Sequence, residues 1–242
     1  MKRRRYCSPD EVRNCPSPVA MKRTCSVSGV ECVRVGRADA ERHLLVIAEL
    51  TNEADVTNLV DATVKQFGRL DILVNSAGIN HWETIETTSM EQYDRMMNVN
   101  VRSVFHLTIL CVPHLIAARG SIVNVSSVAG TRSFPGLLVY CMSKSAVDQL
   151  TACAALELAS KGVRVNSVNQ GVTFTDLHKR AGMSDEESEK FMERTKDTHP
   201  LGRPVNAEEV AEAIAFLTSS SSSFITGEHL HVDGGWHAFT PV

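Results

Sequence analysis

Continuous apolar runs alternate along this chain with stretches in which apolar residues recur every three or four positions. His43-Leu44-Leu45-Val46-Ile47-Ala48 is such a run and predicts a fully buried parallel strand. From Asn52 to Phe67, Val56, Leu59, Val60 and Val64 form a helical stripe, with Gly68 just past its end as a stop. Asp71-Ile72-Leu73-Val74 is the next strand. Ser89-Met90-Glu91-Gln92 has the form of a capping box and predicts a helix through Tyr93, Met96, Met97 and Asn100 to about Leu115. Gly120 to Val125 predicts a strand and Pro135-Gly136 a turn. The helix that carries Tyr140 then runs without Gly or Pro until Gly162. Val163 to Val168 predicts a strand, Ser184 starts a short helix, and Asn206 caps another with Val210, Ala213, Ile214 and Leu217 inward. The five serines 219–223 read as a surface loop, and His229 to Val232 as the last strand. Strands that alternate with helices predict an α/β domain built on a mostly parallel sheet.

The first forty or so residues break this pattern. Lys2, Arg3, Arg4 and Arg5 form a basic run, followed by Cys, Ser and Pro without periodicity. An Arg-rich start is one mark of an organelle-targeting presequence, but Pro9, Asp10, Glu11, Pro16 and Pro18 interrupt an amphipathic helix. The expectation is a solvated segment over 1–40, with Cys25 to Val35 as a short strand at most, and the domain proper over 41–242.

Composition narrows the classes. With 242 residues, 43% hydrophobic and 22% charged, the chain is an ordinary globular protein large enough for one α/β domain. A net charge of −3 and a pI near 6.3 argue against a nucleic-acid partner. No apolar run approaches the roughly 20 residues of a membrane span. Seven cysteines without framework spacing read as reduced thiols, hence a cytoplasmic protein. His229 and His231 share a strand face, but two ligands make a poor metal site, and no metal is expected.

The candidate chemistry lies between Ser127 and Lys144. On a helix Tyr140 and Lys144 share one face, about 5–6 Å apart at Cβ, and a fixed ammonium lowers the pKa of a neighbouring phenol. Tyr140 then exchanges a proton with an alcohol or ketone near neutral pH. Ser127 follows an apolar strand, at the carboxyl end where open α/β sheets place ligands. A lone Tyr-x-x-x-Lys is weak evidence, because most such pairs are a half-buried core Tyr beside a solvated Lys. Asn100, inside a helix, is either a functional carbonyl or water contact or a polar core anchor. His81, Trp82 and Phe134 are candidate pocket walls for a substrate larger than a three-carbon ketone.

Asn75-Ser76-Ala77-Gly78 after a strand, Asn98-Val99-Asn100, Ser127, Tyr140 and Lys144 together resemble the short-chain dehydrogenase/reductase family, over about Leu44 to Gly235. The resemblance implies a doubly wound, Rossmann-like sheet with helices on both faces and hydride transfer between NAD or NADP and a carbonyl or secondary alcohol. It implies a catalytic tetrad of Asn100, Ser127, Tyr140 and Lys144, with Ser127 on the substrate oxygen. Cofactor contacts carried over are Glu49, Leu50, Asn75, Ala77, Gly78, Val99, Tyr140, Lys144, Gly171, Thr173 and Thr175. It further implies a homodimer or homotetramer, with a face of the Tyr140 helix (Ala146, Leu150, Cys153, Ala154, Leu158) that is either a subunit contact or ordinary core, and Asp176 to Pro200 as a substrate lid. The segment after Pro200 resembles 3-oxoacyl-thioester reductases and related ketone reductases. One feature departs from the family: its Thr-Gly-x-x-x-Gly-x-Gly turn is missing, since Gly29 and Gly36 are the only glycines before Gly68. The first βαβ segment is therefore degenerate or incomplete. A non-catalytic relative that binds or regulates other subunits is the alternative reading.

Overall fold

Asn52 starts the first helix by accepting hydrogen bonds from the N–H groups of Ala54 (2.9 Å) and Asp55 (3.2 Å). Gly68 ends it in the left-handed conformation, φ +71°, which costs a residue without a Cβ little. Between them α1 (Glu53–Phe67) buries Val56, Leu59, Val60 and Thr63, the stripe read from the sequence. This is a computed structural model that describes residues 30–32, 44–173, 175 and 183–239. Apart from 30–32, the expected N-terminal segment 1–40 lies outside the described residues, as do the C-terminal 240–242.

Among the described residues the central sheet has four strands, β3 (Ile72–Asn75), β4 (Ser121–Ser127), β5 (Arg164–Gln170) and β6 (His229–Val232), in that order and all parallel. On one face α1, α3 (Ser103–Ala118) and α4 (Leu138–Ala159) close a core around Val56, Leu107, Leu115, Ile122, Leu158 and Val165. On the other, α6 (Ala207–Thr218) presses Val210, Ile214 and Leu217 onto Val123, Val125 and Val168. All seven residues of β4 are buried although four are Ser or Asn. A polar chain satisfies the middle of the strand. Asn75 Nδ2 donates to Asn124 Oδ1 (2.8 Å), Asn124 Nδ2 to Thr151 Oγ (2.8 Å), and Thr151 to the Val147 carbonyl (2.8 Å). Buried amides paired in this way avoid the desolvation cost of unpaired ones.

The first strands correct an expectation. The run from His43 was expected to be a fully buried parallel strand. Its described part forms only β2 (Ile47–Glu49), antiparallel to β1 (Val30–Cys32) in a separate two-stranded sheet. Ala48 is buried, but Leu45 and Ile47 are 69% and 71% exposed, because only one face of β2 meets the core. Among the described residues β3 pairs on one side only.

The capping box at Ser89 is formed, Ser89 N–H to Gln92 Oε1 at 2.7 Å and Gln92 N–H to Ser89 Oγ at 3.2 Å. The helix it starts is continuous but not uniform. α2 (Met90–Met97) passes through a π-helical turn, Asn98–Arg102, into α3. Met90–Ala118 is long enough to cross a membrane and its most apolar 18-residue window has a mean hydropathy of 1.5, more apolar than the reading of the sequence allowed. In this fold Val104, Leu107, Cys111 and Leu115 are buried, as in the core helix of an α/β layer. The helix after Ser184 is α5 (Asp185–Thr198), longer than expected. Of the five serines, Ser222 is buried, its hydroxyl donating to carbonyls of Phe216, Leu217 and Ser219.

Candidate active site

The strand β4 ends at Ser127 and the chain tightens into a short 3-10 turn, Val128–Gly130. Ser127 Oγ accepts from the Ala129 N–H (3.2 Å) and reaches the Gln170 carbonyl (3.4 Å), which fixes the hydroxyl at the carboxyl end of the sheet. The next helix, α4, brings Tyr140 and Lys144 to the same place, both buried. Lys144 Nζ donates to the Val125 carbonyl (2.9 Å) and stands 5.7 Å from the centre of the Tyr140 ring. The expected lowering of the phenol's pKa is overturned for this state of the protein. Burial pushes Tyr140 from 10.0 up to about 12, while the nearby Ser127 hydroxyl pulls the other way. A phenolate in this apolar surround loses more hydration than these neighbours return. Tyr140 therefore holds its proton at neutral pH.

Asn100 sits in the π-helical turn and is 1% exposed. Its Oδ1 accepts the Ile79 N–H (2.8 Å), and its Nδ2 donates to the Ile79 carbonyl (2.9 Å) and Ser143 Oγ (3.0 Å). Both ends of the amide clamp the segment after Gly78 to the helix that carries Tyr140. The wider turn frees backbone that a regular helix would bond to itself, and such turns gather at functional sites.

The cleft in front of Ser127 and Tyr140 has a volume of about 60 Å³, and aromatic rings form its walls. Trp82 meets Phe191 edge-on (5.8 Å), and Phe134 packs on Trp236 (4.8 Å). Trp82 and Phe134 are thus the walls expected. His81 is not: it is exposed and outside the lining, because in the extended segment Asn80 and Trp82 face the cleft and the residue between them turns away. Gly171, Thr173 and Thr175 line the cleft, with the Thr173 hydroxyl on the Gly171 carbonyl (3.2 Å). Gly78 lies beside the centre, where an added Cβ would stand 3.5 Å from Asn100 Oδ1 and 3.6 Å from Lys144 Nζ.

Other expected contacts lie further off. Asn75 turns its amide into the sheet, on Thr108 and Asn124, and Ala77 packs against the main core. Val99 is half-buried, with its carbonyl accepting from Ser103. Glu49 takes the Thr51 hydroxyl (2.9 Å), and Leu50 is core, so neither lines the cleft. Trp236 lines the cleft and was missed by sequence reasoning, and buried His199 packs behind it. Trp236 follows Asp233-Gly234-Gly235, a turn just beyond β6, and that position at a strand end was the available signal.

The donor set suits the nicotinamide-riboside end of a dinucleotide. A phenol and a hydroxyl meet at one cleft with an ammonium behind the phenol, and the wall residues Asn80 and Trp82 keep Oδ1 and Nε1 buried without a partner. The phosphate end has no glycine-rich turn in the sequence to hold it.

Comparison with known proteins agrees with this geometry. The sequence model of a family described as enoyl-(acyl carrier protein) reductase matches residues 30–237. A 3-oxoacyl-[acyl-carrier-protein] reductase, FabG, of Thermotoga maritima is 39% identical over 190 residues, 78% of this chain and 75% of that protein. A cyclopentanol dehydrogenase of a Comamonas species is 38% identical over 205 residues, 84% of this chain and 80% of that one. Among solved structures, a short-chain dehydrogenase/reductase of Caenorhabditis elegans with cofactor superposes with a TM-score of 0.75 at 36% identity, covering 81% of this chain and 75% of its own.

Proposed function

The chain belongs to the short-chain dehydrogenase/reductase family, and we propose that it moves a hydride between NAD or NADP and a carbonyl or secondary alcohol. The observation that carries this reading is the meeting of Ser127 and Tyr140 at one cleft, with Lys144 Nζ 5.7 Å from the Tyr140 ring centre behind them and Asn100 clamping the neighbouring segment. Bound nicotinamide supplies the hydride, and the remaining work falls to the chain's own residues. Ser127 Oγ holds the substrate oxygen. The Tyr140 phenol donates its proton to that oxygen in carbonyl reduction and takes it back in alcohol oxidation. Lys144, anchored on the Val125 carbonyl, sets positive charge beside the phenol and offers protons to a ribose hydroxyl. Asn100 supports a proton relay by holding Ile79 and the Gly78 turn in place.

The aromatic walls favour an apolar carbonyl larger than a three-carbon ketone. A 3-oxoacyl thioester is the second candidate. Trp82→Ala should alter the relative rates of bulky and small ketones; unchanged ratios would remove Trp82 from the pocket. A homodimer or homotetramer is supported by exposed apolar side chains on α3 and α4, Phe105, Ile109, Met142 and Leu156. The face proposed from the sequence shifts accordingly, since Leu158 belongs to the core.

The test is a fluorescence titration with NADH and NADPH, followed by turnover of a ketone panel. Micromolar binding of either is expected, with turnover that falls on the order of 10²-fold or more in Tyr140→Phe. Binding with undiminished turnover in that variant would end the mechanism. No binding of either nucleotide by the folded chain would turn the reading to the non-catalytic relative.

A further inference from the structure

His199 lies at the end of α5 and is 1% exposed. Its ring is held on several sides. It stacks on Trp236 (4.7 Å between centres), and Gly171 and Gly234 lie against it. A Cβ on Gly171 would stand 2.7 Å from His199 Nε2 and 2.9 Å from the Asp233 Cα, so this approach requires glycine. The backbone N–H of Val172 donates to Nε2 at 3.2 Å. A backbone N–H can only donate, so Nε2 carries no proton and the ring proton is on Nδ1, 3.0 Å from the Thr198 hydroxyl. The acceptor of this bond is a titratable group, while its donor belongs to the turn 171–173 that lines the cleft.

We infer that His199 is a positioning residue for the cofactor-facing turn: its neutral imidazole locks Val172 in place, and protonation of that ring releases the turn and weakens dinucleotide binding. The inference rests on the nicotinamide reading of the cleft given above. A core histidine that only filled space would be indifferent to which nitrogen faced Val172. Here protonation would set an Nε2–H against an N–H, two donors in a buried place, and the bond could not survive. The groups that face the ring are known. Asp233 lies across it from the turn after β6, itself paired with His237 (2.9 Å), and favours the charged form, as does the backbone at Thr195 of α5. Burial outweighs both and lowers the pKa below 6.5, which keeps the lock closed at neutral pH.

His199→Gln and His199→Phe separate this from a packing role. Glutamine has a carbonyl oxygen that can accept from Val172 and does not titrate, whereas phenylalanine fills the space without an acceptor. Side-chain ¹⁵N shifts of the wild-type chain should show the Nδ1–H tautomer. Val172 and Thr173 amide resonances should move with the His199 titration as the pH falls below 6.5. The Kd for NADH or NADPH, whichever binds, should rise several-fold on acidification in the wild type and stay flat in His199→Gln. In His199→Phe it should be raised at every pH. An Nε2–H tautomer, or a pH dependence of Kd shared by wild type and His199→Gln, would overturn the inference. Should the wild type bind neither nucleotide, the oxidoreductase reading falls and the cofactor half of this inference with it, while the tautomer and amide shifts still decide the lock on Val172.

Discussion

A single amide, that of Asn100, answers both the N–H and the carbonyl of Ile79. Asn100→Ala would leave both backbone groups unpaired in a half-buried place, at a cost of about 1–2 kcal/mol. The urea midpoint should fall accordingly, and a wild-type midpoint would show that water replaces the amide without loss. Tyr140 makes a prediction of opposite origin, since its burial raises the folded pKa from 10.0 to about 12. The folded state then holds its proton more tightly than the unfolded chain does. That contribution is complete below about pH 10 and is lost as the pH climbs through 12. Cys111, raised from 9.0 to about 12 by burial, adds a decline of the same sign. Unfolding free energy should therefore decline on the alkaline side, and the decline should be shallower in Tyr140→Phe, measured by denaturant melts at a series of pH values. At Gly171 no side chain fits, because the neighbouring Asp233 backbone cannot yield. Gly171→Ala should cost about 1–3 kcal/mol and weaken nucleotide binding, read by thermal melts and titration.

Elements bounded by their own chemistry were legible from the sequence. Asn52 and Gly68 bracket α1, Ser89 starts α2, and Ser184 starts α5, because caps act within one turn of the chain. Distant partners were not legible. An apolar run such as 43–48 reads as buried on both faces, yet whether a second layer covers it depends on other segments, and here Leu45 and Ile47 are exposed. His81 and Trp82 are neighbours of similar promise, and only the direction of the extended chain decides which one faces the cleft. His199 reads as one polar residue before a proline, and its lock on Val172 spans 27 positions of sequence. The cap of α5 bears on function as well, since that helix presents Phe191 to Trp82. Ser184 Oγ accepts the Glu187 N–H (3.2 Å), and the Glu187 carboxylate takes the Ser184 N–H (2.9 Å). Ser184→Ala should loosen the helix by about 1 kcal/mol. Amide exchange over residues 185–198 should quicken and KM for bulky ketones rise with little change in kcat. A raised kcat with unaltered KM would mean that the helix limits product release instead.

Across the whole molecule two large surfaces differ in kind: one buries the sheet, and the other leaves Phe105, Ile109 and Leu156 to solvent. A chain carrying Phe105→Asp and Leu156→Asp together should sediment as a smaller species than the wild type, with its circular dichroism unchanged. Equal sedimentation would place the subunit contact elsewhere. The π-helical turn between α2 and α3 is, in effect, a phase shift written into one long helix. In a regular helix, at about 100° per residue, Met96 and Leu107 would lie on nearly one face; the turn's extra residue rotates one against the other, so Met96 packs with Val139 and Tyr140 while Leu107 joins the sheet core. Deleting Val99 would heal the turn into regular helix and throw one of those faces out of step. Helix content would be kept, but Met96 and Leu107 could no longer both reach their separate cores.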